Sequence, residues 1–283
     1  MSHFCVAVAT KTKDISEIEK LLEPYWEEKE VEPYIRRTKA DIIKDAKKWK
    51  EDFEKEFKEN PDKEIPEWQQ EYLNAKTDEE LYELQKEEDG LYDEEGNELT
   101  TYNPDSKWDC YGIGGRYDKY LIVDKDNEDT YDNGEIGLFG GISDGEVEGH
   151  PELKRTNGAK IKDIKFNMMG GNYEKAIREW ELIVEGQEPK NEAEAEVIKW
   201  NLYKPEYYIE QYGTKEEYAR QESMFMTWAF VNEQGWCEQG EMGWWAMNDA
   251  TKDSRLAFIE KLNEYISSPE HQEEYLFIVD CHI

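Results

Sequence analysis

Histidine is scarce in this 283-residue chain, four in all, and two of them stand near its ends: His3 in "SHFCVAVAT" and His282 in "EYLFIVDCHI". Imidazole changes charge close to neutral pH, so two of them at one place can act as a general base and a general acid. Asp280, two residues before His282, is suited to orient one ring. Cys5 and Cys281 add soft ligand atoms that, with both histidines, suggest a closed zinc site. Neighbours along a strand point to opposite faces, which keeps Cys281 and His282 from serving one metal ion and argues for no metal. The ordinary alternative at each end is a histidine satisfied at a sheet edge.

A second run, "WDCYGIGGRYDKY" (108–120), holds Arg116, one of only seven arginines, directly after Gly114 and Gly115. Glycines let backbone amides approach an anion, and a guanidinium grips it bidentately. Trp108, Tyr111 and Tyr117 in this run, with Glu241, Trp244 and Trp245 of "EMGWW", offer ring faces and polar edges for a base or sugar. The competing reading is a Gly-Gly bend whose arginine pairs with a neighbouring carboxylate. "DKDNEDTYDNGE" sets Asp124, Asp126, Glu128, Asp132 and Glu135 at calcium-loop spacing. Its sixth position, however, is Asp129, where the turn needs glycine, which favours a plain acidic loop. No phosphate-binding P-loop, nucleophile elbow, zinc-protease helix or dinucleotide fingerprint occurs, and no cofactor is implied.

These residues need elements to hold them. "HFCVAVAT" (3–10) and the segment 275–282 are the most apolar terminal stretches and predict strands, which fray unless paired. "DISEIEKLLEPYW" reads as a helix behind an Asp14 cap. Thr38 and Thr77 head two further helices that end before Pro61 and at Gly90. "GLYDEEGNELTTY" predicts a hairpin, "KYLIVD" (119–124) a buried strand and "EIGLFGG" a weak one. Helices follow over 172–186 and 191–203, a hairpin over 223–245 turning at Glu233-Gln234-Gly235, and a capped helix over 253–268. The expected fold is a single α+β domain over 1–283. Its mixed or antiparallel sheet has about five strands, residues 3–10, 119–124, 224–232, 236–240 and 275–282, with helical insertions at 38–88 and 172–221.

Composition limits the partners. The 68 acidic and 35 basic residues give a net charge of −33, which disfavours direct nucleic-acid binding. Over 41–98 the charges alternate in sign, as in "DAKKWKEDFEKEFKEN", the pattern of an exposed helix more than of a one-signed stripe. Aromatics at 13%, including 10 Trp and 18 Tyr, supply core volume in a chain only 37% hydrophobic. No membrane-length apolar run and no secretory leader are recognisable, and the four cysteines lack a paired spacing, so the expectation is a cytoplasmic protein with buried thiols and no membrane contact.

The segments "SHFCVAVAT", "LLEPYWEEKEVEPYI", "TTYNPDSKWDCYGIGGRY", "GEMGWWAM" and "VDCHI" resemble a family of bacteriophage- and prophage-encoded proteins to which no activity is attached. Cys110 and Tyr117 stand where that family usually has tryptophan. The resemblance implies an accessory protein of the host-cell cytoplasm that counters a host process such as defence. The expected mode is binding: sequestration of an anionic, nucleotide-like small molecule in a cleft of the 108–117 and 241–245 loops, or occupation of a host protein. Two alternatives stand beside it, an acidic DNA-mimicking decoy for a host DNA-binding enzyme and a nucleotide hydrolase that uses His3, Asp280 and His282. The oligomeric state is open.

Overall fold

The computed structural model describes residues 2–132 and 145–283. The chain divides into two compact units, Met1–Glu27 with Asp105–Ile283, and Glu28–Pro104. It enters the first through strand β1 (His3–Thr10) and helix α1 (Ile15–Leu22), capped by Asp14 accepting from the Ser16 amide and turned aside at Pro24.

The second unit contains β2 (Tyr34–Arg37), α2 (Lys39–Glu59), α3 (Glu67–Asn74), α4 (Asp78–Gln85), β3 (Leu91–Tyr92) and β4 (Glu98–Thr100). The insertion expected at 38–88 falls within it. Thr38 and Thr77 each form a reciprocal capping box, with Asp41 and Glu80 respectively. The helices close over Ala46, Tyr72, Ala75 and Leu81. Glu98 is buried and is held by Arg36 and Arg37, because an unpaired carboxylate at that depth would be costly.

The remainder of the first unit comprises β5 (Cys110–Ile113), β6 (Leu121–Asp124), β7 (Thr130–Tyr131), β8 (Leu153–Thr156), β9 (Gly158–Lys160), α5 (Tyr173–Ile183), α6 (Glu192–Trp200), α7 (Pro205–Tyr212), α8 (Lys215–Glu222), β10 (Ala229–Asn232), β11 (Gly235–Glu238), α9 (Lys252–Ser267) and β12 (Tyr275–His282). Its main sheet has seven strands in the order β11-β10-β1-β12-β9-β7, with β5 also paired to β12. β1 is parallel to β10 and antiparallel to β12, so the sheet is mixed. The fold is the expected α+β class with helical insertions, and its sheet is larger than five strands. One expected member is elsewhere: β6 pairs with β8 in a separate two-stranded sheet.

β1 and β12 are buried on both faces, which is why they read as near-continuous apolar runs. One face gathers Cys5, Ala7, Leu276 and Ile278 beneath Phe258 and Leu262 of α9. The other gathers Phe4, Val6, Phe277, Val279 and Cys281 against Ile18 and Leu22 of α1 and Trp108. Helices α5, α7 and α8 enclose a further cluster of Trp180, Tyr208 and Tyr218. Among the described residues no helix is long and apolar enough to cross a membrane.

A candidate acid–base site

The antiparallel register of β1 and β12 sets His3 opposite His282 and Cys5 opposite Asp280. The period of two places His3, Asp280 and His282 on the Cys5 face, and Cys281 on the other. Each imidazole has its own carboxylate. His3 Nδ1 lies 3.1 Å from both oxygens of Asp280, and His282 Nδ1 lies 2.7 and 2.8 Å from those of Asp109. An ionised carboxylate only accepts, so Nδ1 carries the proton in both rings and each Nε2 presents a lone pair. The ring centroids are 4.8 Å apart with planes at 66°. The side chains are 16% and 12% exposed, enough to meet a substrate yet too little to swing freely.

The Gly-Gly-Arg run supports this arrangement through its backbone. The Arg116 N–H donates to Asp280 Oδ2 at 2.8 Å, and it gets there because Gly115 adopts φ +52°. A Cβ on Gly115 would sit 2.5 Å from that oxygen. Gly114, at φ +79°, donates to the Ile278 carbonyl at 2.8 Å, while Ile278 N–H donates to Asn157 O at 2.9 Å. The Asn157 amide in turn donates to the buried Asp118 at 2.6 Å. The glycines therefore clasp the edge of β12 and aim an amide at the carboxylate that holds His3. Gly112 lies across from Asp280 in the β5–β12 register, and a side chain there would meet nothing within 4 Å, so this face opens outward beside the histidines.

Asp109 precedes β5, donates its N–H to the His282 carbonyl at 2.9 Å and returns its carboxylate to the His282 ring. Burial opposes its charge, but hydrogen bonds from His282 and Cys110 outweigh this and hold its carboxyl below the ordinary range. Cys110 shows the converse. Partial burial of its sulfur, then the hydrogen bond to Asp109 and the nearby Asp280 charge, push the thiol up to about 11, although the residue as a whole is exposed. Deep burial, with the Asp280 charge, raises the Cys5 thiol further. Asp109, Cys110 and His282 each bring one ligand atom within 4.8 Å of the others, a set able to take a thiophilic dication once the thiol loses its proton. As they stand, the three satisfy one another by hydrogen bonds.

The other expected site residues divide. Trp108 is a core residue: its Nε1–H donates to the Leu22 carbonyl at 3.1 Å. Tyr111 packs edge-on against it, centroids 5.0 Å apart, on the face away from the histidines. Both were expected to flank a ligand; Trp108, ahead of β5, is instead packed in the core, and Tyr111, opposite Cys281 in the β5–β12 register, packs partly buried against it. Tyr117 stays on the histidine side, its hydroxyl 3.4 Å from the His3 carbonyl, and burial raises its pKa. Arg116 is exposed. Glu241 is exposed and its N–H donates to Asp249 at 2.7 Å. Trp245 is 77% exposed at φ +61°, while the Trp244 side chain and Glu135, like the rest of "EIGLFGG", lie outside the described residues. The loop after Glu241 is tied to the start of β1, since Ser2 Oγ donates to Gly243 O and accepts from Ala246 N–H, both at 2.8 Å. Sequence reasoning missed Asp109; its one signal was a carboxylate beside Cys110 at the start of a short strand. Compared with known protein families, characterised proteins and solved structures, the chain matches none.

Proposed function

We propose that His3 and His282 form the acid–base centre of an enzyme that cleaves a phosphate ester in a nucleotide-like substrate. The observation that carries this is the pair of facing imidazoles, each with a separate carboxylate on Nδ1. In the reaction one neutral imidazole takes a proton from the attacking water through Nε2. The water oxygen bonds to phosphorus as the ester P–O bond breaks, and the second imidazole, entering as the cation, gives its proton to the departing oxygen. Proton exchange with solvent then returns each ring to its starting state. Asp280 and Asp109 fix each ring's tautomer and stabilise the imidazolium that forms on it. In the phage setting that the family resemblance implies, such an activity would remove a nucleotide signal on which a host process depends. Sequestration of the same ligand is the second reading: of its expected stacking rings Trp108 is buried and Tyr111 partly buried against it, while Trp245 stays exposed.

The test is ³¹P NMR of linear and cyclic nucleotides and dinucleotides incubated with the protein. Turnover of at least one is expected, falling by roughly 10²- to 10⁴-fold in His3→Gln and in His282→Gln. No turnover across the panel, or undiminished turnover in either variant, overturns the reading.

A further inference from the structure

Away from the histidines, Arg255 breaks two local rules at once. It lies one turn into α9, behind the Thr251 capping box, where the positive end of the helix disfavours a cation. It is also only 8% exposed. Arg36, Arg37, Arg178 and Arg220 all lie beside carboxylates, but none of the described residues puts one within ion-pairing distance of Arg255. Nη2 donates to Gln211 Oε1 at 3.0 Å and the guanidinium lies 4.7 Å from the centre of the Tyr212 ring, while Nη1 is buried with no partner among the described residues. A buried donor left unmade is expensive, and a buried cation more so.

The space beside it explains the exception. Arg255 lines a cleft of about 320 Å³ together with Gln221, Glu222, Gln239, Tyr120 and Met226. Gln221 is 4% exposed; its amide donates to Glu217 at 2.7 Å, and its Oε1 is the second buried polar atom here without a partner. An unmade donor and an unmade acceptor thus line one cleft, at the helix end that attracts negative charge. Although Glu222 as a residue is exposed, burial of its carboxyl, reinforced by Glu179, raises its pKa against the pull of Arg255.

We infer that this cleft binds a small oxyanion bearing an adjacent donor. Its oxygen accepts from Arg255 Nη1, and its own O–H, or an N–H on the neighbouring atom, donates to Gln221 Oε1. Phosphate monoesters and hydroxy- or amino-carboxylates share this chemistry. The site is independent of the acid–base reading.

The experiment is calorimetric titration of the full chain with inorganic phosphate and, separately, with glycolate, at constant ionic strength set by chloride. Saturable binding of at least one is expected; phosphate alone marks a phosphoryl ligand, glycolate alone a carboxylate. Arg255→Met should weaken that binding by roughly 10- to 100-fold, the worth of a charge-assisted contact. Its melting temperature without ligand should hold or rise, since a buried, half-satisfied cation has gone. Gln221→Met supplies a second variant with the same direction of effect. Absence of saturable binding of both probes, or equal affinity in Arg255→Met and Gln221→Met, overturns the inference.

Discussion

Replacing Asp280 by asparagine keeps the side chain's shape and changes one thing, the direction of a hydrogen bond. The residue is 5% exposed and accepts from His3 Nδ1 and from the Arg116 amide. The asparagine oxygen can keep the Arg116 contact, but its NH₂ then faces a ring nitrogen that also carries a proton. His3 resolves the conflict by moving that proton to Nε2 and accepting on Nδ1. A charge-assisted bond of about 1.5–3 kcal/mol becomes a neutral one of about 1, so the fold should lose roughly 0.5–2 kcal/mol. For a chain of this size that lowers the melting temperature by about 1–8 °C. The chemical loss is larger, because a protonated Nε2 cannot serve as the base: roughly 10²- to 10⁴-fold in rate, about 3–5 kcal/mol of barrier. Selective ¹⁵N labelling of histidine, read by NMR, reports the tautomer directly, and turnover per folded molecule reports the rate. A His3 ring that keeps its proton on Nδ1 in Asp280→Asn, or an unchanged rate with the tautomer switched, refutes the reasoning.

Other perturbations reach the same site by separate routes. Gly115→Ala forces a side chain into a left-handed position costing about 1–2 kcal/mol and into the space of Asp280 Oδ2. It should destabilise by about 3 kcal/mol or more in urea melts, and a loss below about 1 kcal/mol would mean the clasp is not as drawn. Asp109 has its carboxyl lowered in the fold, so its contribution to stability is present above the ordinary aspartate pKa and is lost as pH falls through the folded value. At 37% side-chain exposure that contribution is small. Asp109→Asn should therefore melt slightly below wild type at neutral pH, with the gap closing as pH falls below the ordinary aspartate range, and a gap that persists in strong acid contradicts the pairing. Cys110, exposed but with its thiol raised to about 11, should alkylate about 10²-fold more slowly at neutral pH than a free cysteine, and faster in Asp109→Asn. Rapid iodoacetamide labelling of the wild type argues against the thiol–Asp109 bond.

The strands that carry both histidines were legible because each is buried on both sides and so spells an unbroken apolar run. The face argument was legible too: period two alone separates Cys281 from His282, and the two core clusters divide at that residue. The partners of β12 other than β1 were not. β5, β7 and β9 are two to four residues long, too short for a pattern, and are held by register against β12 and each other. Asp109 meets His282 only through such pairing, 173 residues away in sequence, and no local signal reports a contact of that range. "KYLIVD" has the apolarity of a sheet strand, but apolarity does not name a partner, and its partner is β8. Trp108 and Tyr111 look like ligand-facing rings in a glycine-rich loop until the β5–β12 register turns Tyr111 to the Cys281 face, where it packs against the buried Trp108. The Gly-Gly-Arg run was recognised as special for its guanidinium, whereas the contact that fixes Asp280 is made by the peptide N–H of Arg116, which any residue other than proline would supply.

The central claim is that two imidazoles share one bond-breaking event, and the pH dependence of kcat/KM for the nucleotide turned over fastest tests it most directly. Wild type should give a bell-shaped profile, one limb for the base and one for the acid. His3→Gln and His282→Gln should each fall by roughly 10²- to 10⁴-fold, and each should lose a different limb. A profile flat through neutrality, or one that keeps both limbs when either histidine is replaced, would contradict it.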